Sequence, residues 1–493
     1  MKLHTVDLAI IVLYIFGITL MGAWIGAKQK DIKGYFVGDR NVHWFLVLIS
    51  IVATETSAIT FLSVPGRSFD LKGGNFTFLQ IALGYIIGRL LISWLLLPAY
   101  FRGECFTAYE VLKQRFDVRV QRAASALFLM TRTFADGLRL FLTAMLVNAA
   151  TGGDMVLTIV VLGLVTLLYT YIGGMQAVIW TDLIQFFICL GGAFAAGYYL
   201  LAAIPGGWDT FVSQGEAAGK FKMFDFDFTL RKDMTFWSAL LGGAFITMAS
   251  HGADQSMVQR YLCARSLKEA RRSLVLSSFV VLFQFTLFLA IGVGLFAAYQ
   301  TGAFAVVAPG TVDQVFGQFI VEKMPVGLVG IVVAAVLAVA MSSMSSSLNS
   351  ASNAFVNDFY RPMKPNRSDA HYLKVAKLAT LFWGALKIAS ATLAYALLDD
   401  TSIIDVALKV AGLTTGVVLG LFILGQMKKP VASGSALVGM ASGFAVVLWA
   451  WGMTYFKVFT IPWPLFAPIG ALSVVLLAYV ADLFFDSPKQ LAG

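Results

Sequence analysis

The sequence is poor in charge. Asp, Glu, Lys and Arg make up 13% of its 493 residues, about half the share found in water-soluble domains. Its 59% of hydrophobic residues, 41 Phe among them, could not be hidden inside a soluble fold of this length. A soluble enzyme, a nucleic-acid binder and a disordered chain are therefore excluded. Cysteine is scarce: Cys105, Cys189 and Cys263 match no metal motif and imply no disulfide framework. The glycine-rich phosphate loop of an ATP-driven pump is absent. No small-residue cleavage site follows the first apolar run, so that run reads as a retained helix.

What is present is hydrophobic length. A bilayer core needs about 20 apolar residues per helix. Thirteen runs qualify, at approximately 6–27, 42–63, 76–100, 122–149, 155–173, 178–202, 234–256, 273–299, 325–353, 372–398, 402–426, 432–455 and 462–485. The expectation is an all-α, polytopic membrane protein of about 13 transmembrane helices. The 45 glycines suit close helix packing in lipid. With the N-terminus outside, the inner loops hold more than twice the Lys and Arg of the outer ones. Topology thus explains the net charge of +9. An odd number of spans leaves the C-terminus cytoplasmic, and the pattern fits a bacterial inner membrane. The longest outer connection, about 203–233, reads as an ordered loop or short helices.

Polar residues at membrane depth are costly unless paired or functional. The second run contains Thr54, Glu55, Thr56, Ser57 and Thr60 together. Single hydroxyls can bond back to their own helical turn. A cluster that includes Glu55 points instead to a broken helix, whose freed carbonyls coordinate cations. The ninth run carries Ser342, Ser345, Ser346, Asn349 and Asn353 at helical spacing. Hydroxyls and carbonyls with little charge suit a monovalent hard cation. A small-residue packing face would use the same residues. Asp182 reads equally as a cation ligand or as a helix cap. Arg132 and Asp136 are spaced to pair as i,i+4. His251 reads as a hydrogen-bonded or gating residue, and Lys387 as a snorkelling or acid-paired one.

Four segments carry a family likeness: Ala53–Pro65, Tyr171–Asp182, Asp254–Tyr261 with Lys268–Ala270, and Met341–Asn353 followed by Asn357–Tyr360. In that order, on those runs, the chain resembles the sodium/solute symporters. These are relatives of bacterial sodium/galactose, sodium/proline and sodium/sialic acid symporters and of sodium/glucose cotransporters. The resemblance implies one integral membrane domain over 1–493, built as a five-plus-five inverted repeat with broken helices. An extra helix at 6–27 would precede repeats at 42–202 and 234–426, and two helices at 432–485 would follow. It also implies a sodium site made by the carbonyls of Ala53, Thr56 and Val339 and the hydroxyls of Ser342 and Ser343. A second sodium would use Asp182, Ser342, Ser345 and Ser346. The matching substrate cavity holds Glu55, Ser57, Thr60, Gln80, Arg132 and Asp254. Sialic acid symporters place an Arg at Arg132, where it meets a carboxylate. Glu55 stands where they have a small neutral residue, so Glu55 and Asp136 are two acids that could neutralise Arg132.

The implied function is sodium-coupled uptake of a small polar solute by alternating access, with no enzymatic chemistry. Neither ATP, nucleic acid nor oligomerisation is required. The mixed polar lining suits a sugar, amino sugar or polyol first. The alternatives are a small carboxylate or sialic-acid-like solute, proton coupling through His251, Glu55 or Asp182, and a non-transporting solute sensor.

Overall fold

The computed structural model describes residues 4–26, 31–102, 105–229, 232, 234–304, 312–397, 403–456 and 458–484. The architecture is all-α. Among the described residues the one β contact is a parallel bridge between Val42 and Ala264. Helix α1 spans Thr5–Gly26, and a bent pair follows, α2 (Trp44–Glu55) and α3 (Ala58–Phe69). Next come α4 (Leu79–Leu91), α5 (Val118–Thr151) and α6 (Met155–Ala203). A second interrupted pair is α7 (Phe236–Gly252) with α8 (Gln255–Leu262). Then follow α9 (Leu267–Gln300), α10 (Leu328–Ala354), α11 (Asp369–Leu397), α12 (Ile403–Gln426), α13 (Ser433–Tyr455) and α14 (Phe466–Asp482).

Among the described residues, eight helices are long and apolar enough to cross a membrane. The bent pair α2–α3 gives a ninth where it is counted as one span. The protein is therefore a multi-pass membrane protein. Its outer helices turn Leu13, Phe16, Trp24, Trp94 and Trp449 outward, all well exposed, as lipid contact requires. Helix α10 is central, with 83% of its apolar window buried. It packs on α6, α1, α5, α8, α11 and the broken pair.

The breaks have local causes. Thr56 and Ser57 are extended, at φ −67°, ψ 118° and φ −108°, ψ 163°. Ser57 caps the new helix by accepting from the Thr60 amide at 3.2 Å. The two halves diverge by 63°. Asp254 does the same for α8, accepting from the Ser256 amide at 2.8 Å. Helix α6, at about 1.5 Å per residue, is roughly two bilayer cores long. Gly174, at φ 59°, ψ −160°, divides it. The runs read separately at 155–173 and 178–202 are thus two helical halves that meet at a kink at Gly174. The seventh run also extends beyond its expected end. Residues up to Leu262 form buried helix α8 where the charge pattern suggests an inner loop. The connection after α6 holds a short helix, Gly207–Ala217. Lys220 ties the segment beyond it to the end of α3, donating to the Asp70 carbonyl at 2.7 Å.

Candidate functional site

The serine stretch of α10 lies directly against the break in α2–α3. Its helix tolerates so many serines because several hydroxyls bond within their own turn. Ser345 and Ser346 donate to the Ser342 carbonyl at 3.1 and 2.6 Å. Ser343 instead crosses to the break, donating to the carbonyls of Thr54 and Thr56 at 3.2 and 3.3 Å. Ala53, Thr56, Val339 and Ser342 line one small cavity, backed by Gln185 and Gln284. The five residues expected at the first sodium site are therefore neighbours in space. Their oxygens are neutral, and among the described residues no carboxylate lines the cavity. Carbonyls released at a helix end plus hydroxyls can ligate a weakly hydrated monovalent cation.

Asp182 is fully buried beside this cavity. It accepts from Ser342 at 2.6 Å and from Ser50 at 2.5 Å. It also pairs with Arg260, Nη2 to Oδ2 at 3.0 Å, both side chains 0% exposed. Arg260 further donates to the Ser50 hydroxyl at 2.8 Å and to Ser346. Asp182 is thus neither a helix cap nor a free ligand. It lies inside α6 and closes a network joining α2, α6, α8 and α10. Sequence reading placed Arg260 in an inner loop and missed it. The available signal was its position just past the break at Asp254, on a helix that sequence reading ended too early.

Among the described residues, Glu55, Asp136 and Asp254 are further acids that lie near basic side chains. Glu55 pairs with Arg89, whose side chain is 0% exposed. His251 Nε2 stands 3.4 Å from the same Glu55 oxygen. Arg89 also donates to Ser277 at 2.5 Å. Asp136 pairs with buried Lys387 at 2.9 Å, accepts from Ser347, and lies 3.4 Å from Arg139. The i,i+4 pair of Arg132 with Asp136 is not formed. On α5, Asp136 turns to the α10–α11 side, where Lys387 holds it. Among the described residues, Arg132 forms no ion pair with Glu55 or Asp136. Arg132 instead lies 3.8 Å from Asp254 and donates to the Ser256 hydroxyl at 3.0 Å. Its buried Nε has no hydrogen-bond partner.

The remaining expected cavity residues divide. Ser57 and Thr60 pair with each other at 3.1 Å at the head of α3. Gln80 is fully buried. Its amide nitrogen donates to Thr77 at 3.0 Å and its oxygen accepts from the Asp225 amide at 3.0 Å. Those contacts hold Gln80 against the outer connection.

Broken helices crossing around buried, paired charges in a lipid-facing bundle define a membrane solute transporter. Residues 35–443 match the model of the sodium:solute symporter family. The sodium/sialic acid symporter of Proteus mirabilis (strain HI4320) is 31% identical over 100% of this chain and 98% of its own length. A sodium/sialic acid symporter of Aliivibrio fischeri is 27% identical over 96% and 92%. The human sodium-coupled monocarboxylate transporter 1 is 28% identical over 87% of this chain and 69% of its own. A solved substrate-bound, outward-open sodium-coupled sialic acid symporter superposes with TM-score 0.88 at 30% identity, covering 99% and 100% of the two chains. The chain belongs to the sodium:solute symporter family. It is a sodium-coupled symporter of a small organic solute, a transporter and not an enzyme.

Proposed function

We propose that this symporter imports an acidic, polyhydroxylated solute of the sialic acid kind, with Arg132 receiving the carboxylate. The observation that carries this reading is the state of Arg132. The two acids that could have neutralised it are held by Arg89 and Lys387. Its own acid, Asp254, stays 3.8 Å away, beyond good hydrogen-bond geometry. An arginine with an unpartnered buried N–H at a helix break recognises carboxylates well. The full-length relatives named for sialic acid support the same choice over a neutral sugar or polyol.

In this reading Ala53, Thr56, Val339, Ser342 and Ser343 hold one sodium ion, joining the break to α10. Asp182, Ser345 and Ser346, with Ser342, hold a second, for which Arg260 must yield part of its hold on Asp182. Ser57 and Thr60 border the solute, while Gln80 supports the cavity from its outer side. Sodium stabilises the outward-facing form and raises solute affinity, and by linkage the solute raises sodium affinity. Rocking inward then releases sodium to the cytosol, and the solute follows. The membrane potential adds about 2.3 kcal/mol per charge per 100 mV. Thirteen spans, arranged as repeats over 42–202 and 234–426, accommodate this mechanism. They follow if the two halves of α6, α5, the α7–α8 pair and α12 each count as passes. The N-terminus is then outside and the C-terminus cytoplasmic.

The test is a thermal-stability screen of the purified protein, with sialic acid, neutral amino sugars and small carboxylates in matched sodium and choline buffers. Sialic acid should stabilise in sodium alone, and Arg132→Ala should remove that effect. Stabilisation by a neutral sugar with Arg132→Ala unchanged would overturn the assignment.

A further inference from the structure

Two helices divide the work of the proposed sites. Helix α5 carries Arg132, and helix α10 carries the hydroxyls of Ser342 and Ser343. One turn beyond Arg132 stands Asp136, and one turn beyond Ser343 stands Ser347. The fold brings these two together, with the Ser347 hydroxyl donating to Asp136 Oδ2. Helix α11 completes the contact. Lys387 donates to the same carboxylate oxygen at 2.9 Å and to the Ser347 hydroxyl oxygen. All three side chains are buried. The other carboxylate oxygen lies 3.4 Å from Arg139, on α5 itself. Gly137, the next residue on α5, lets α11 come this close. An added Cβ there would lie 2.5 Å from the Ser390 hydroxyl oxygen and 3.1 Å from the Ala391 amide nitrogen. Asp136 also shares a small cavity with Ser343 and with Ser57 at the break, and that cavity has room for about one water.

Cohesion alone does not explain this contact. Taking a lysine and an aspartate out of water costs about as much as their attraction returns, and a packed apolar contact would join the helices as firmly. What the polar contact adds is register. A serine hydroxyl has one proton to give. Here it goes to Asp136 while the oxygen accepts from Lys387. The ring closes at one relative setting of α5, α10 and α11. Sliding α10 against α5 would strand a charge at low dielectric, so the contact favours their moving together. Sodium would act on the same stripe of α10, because Ser343 reaches the Thr54 and Thr56 carbonyls at the break. A displacement of α10 at Ser343 reaches Asp136 through Ser347, and Arg132 through one further turn of α5.

We propose that Asp136, Ser347 and Lys387 are positioning residues that carry sodium occupancy from α10 to Arg132 on α5. The proposal rests on the sodium and Arg132 assignments above and adds the link between them. The three residues act without touching the ion or the solute. They set how strongly sodium raises solute affinity and, by reciprocity, how strongly the solute raises sodium affinity.

The experiment is calorimetric binding of sialic acid to the full chain in nanodiscs, at saturating sodium and with most of the sodium replaced by choline. The ratio of the two dissociation constants reads the coupling. Ser347→Ala cuts the tie to α10 and leaves Lys387 paired with Asp136, so the fold should be kept. It should lower the ratio by about threefold or more. Ser350→Ala is the control, since Ser350 is equally buried and its hydroxyl bonds to the Ser347 carbonyl within its own helix. Its ratio should match that of the wild type. The double variant Asp136→Leu/Lys387→Met replaces the charges by apolar bulk, which keeps the helices joined, and should lower the ratio as Ser347→Ala does. A Ser347→Ala ratio equal to wild type overturns the link and leaves both site assignments standing. An equal loss of affinity at both sodium levels, with the ratio kept, also overturns it and reduces the contact to packing. A wild-type protein whose sialic acid binding ignores sodium overturns the link together with the readings on which it rests.

Discussion

Glu55 Oε2 and His251 Nε2 lie 3.4 Å apart, and each residue sits at or next to the last residue of a helix that ends at membrane depth, α2 and α7. Arg89 of α4 bridges them, pairing with Glu55 and lying 3.3 Å from the same histidine nitrogen. The two breaks are thus tied together through one carboxylate, and separating them would expose a buried guanidinium.

Replacing Glu55 by Gln leaves Arg89 buried without its counter-charge. The expected loss is about 3–5 kcal/mol, seen as a lower unfolding midpoint in sodium-free buffer. The double variant Glu55→Gln/Arg89→Gln should recover part of it, because the two sites are directly coupled. Additive losses would show that the pair is not the source of the tie.

Asp182→Asn has a related but distinguishable outcome. Arg260 loses its partner, so the midpoint falls by a similar amount in choline. The additional stabilisation given by sodium should shrink as well, since Asp182 is bonded to Ser342 at the proposed ion site. A full sodium increment on a destabilised protein would assign Asp182 to architecture alone.

Ser343→Ala removes the hydroxyl that reaches the Thr54 and Thr56 carbonyls. Loss of one oxygen ligand should raise the sodium concentration for half-maximal solute binding by about tenfold. At fixed sodium, solute affinity should fall by linkage. A sodium titration of binding reads both, and an unshifted sodium midpoint would remove Ser343 from the site.

Gly174→Ala tests the break in α6. The backbone there has φ 59°, ψ −160°, and an added Cβ would lie 2.7 Å from the Tyr35 carbonyl oxygen. The expected cost is about 1–3 kcal/mol, measured as a lower midpoint. Gly17→Ala on α1, where an added Cβ meets nothing within 4 Å, should leave the midpoint unchanged.

The sequence by itself determined the solvent of this protein, because a chain this apolar has no other stable environment. It also located the first break, since Glu55 among hydroxyls cannot continue an ordinary lipid-buried helix. The serine stripe of α10 was legible from spacing alone, because helical period maps residues onto faces. Asp182 was legible as an acid out of place but not as the partner of Arg260. Only the tertiary structure decided which acid meets which base. Glu55 and Arg89 are 34 residues apart, Asp182 and Arg260 78, and Asp136 and Lys387 251. Periodicity encodes which face a residue occupies and says nothing about which helix packs on that face. The nearest spacing rule joins Arg132 to Asp136, yet packing against α11 brings Lys387 to Asp136 and leaves Arg132 beside Asp254. Lys387 reaches Asp136 from 251 residues away, a contact that no spacing rule on α5 could foretell.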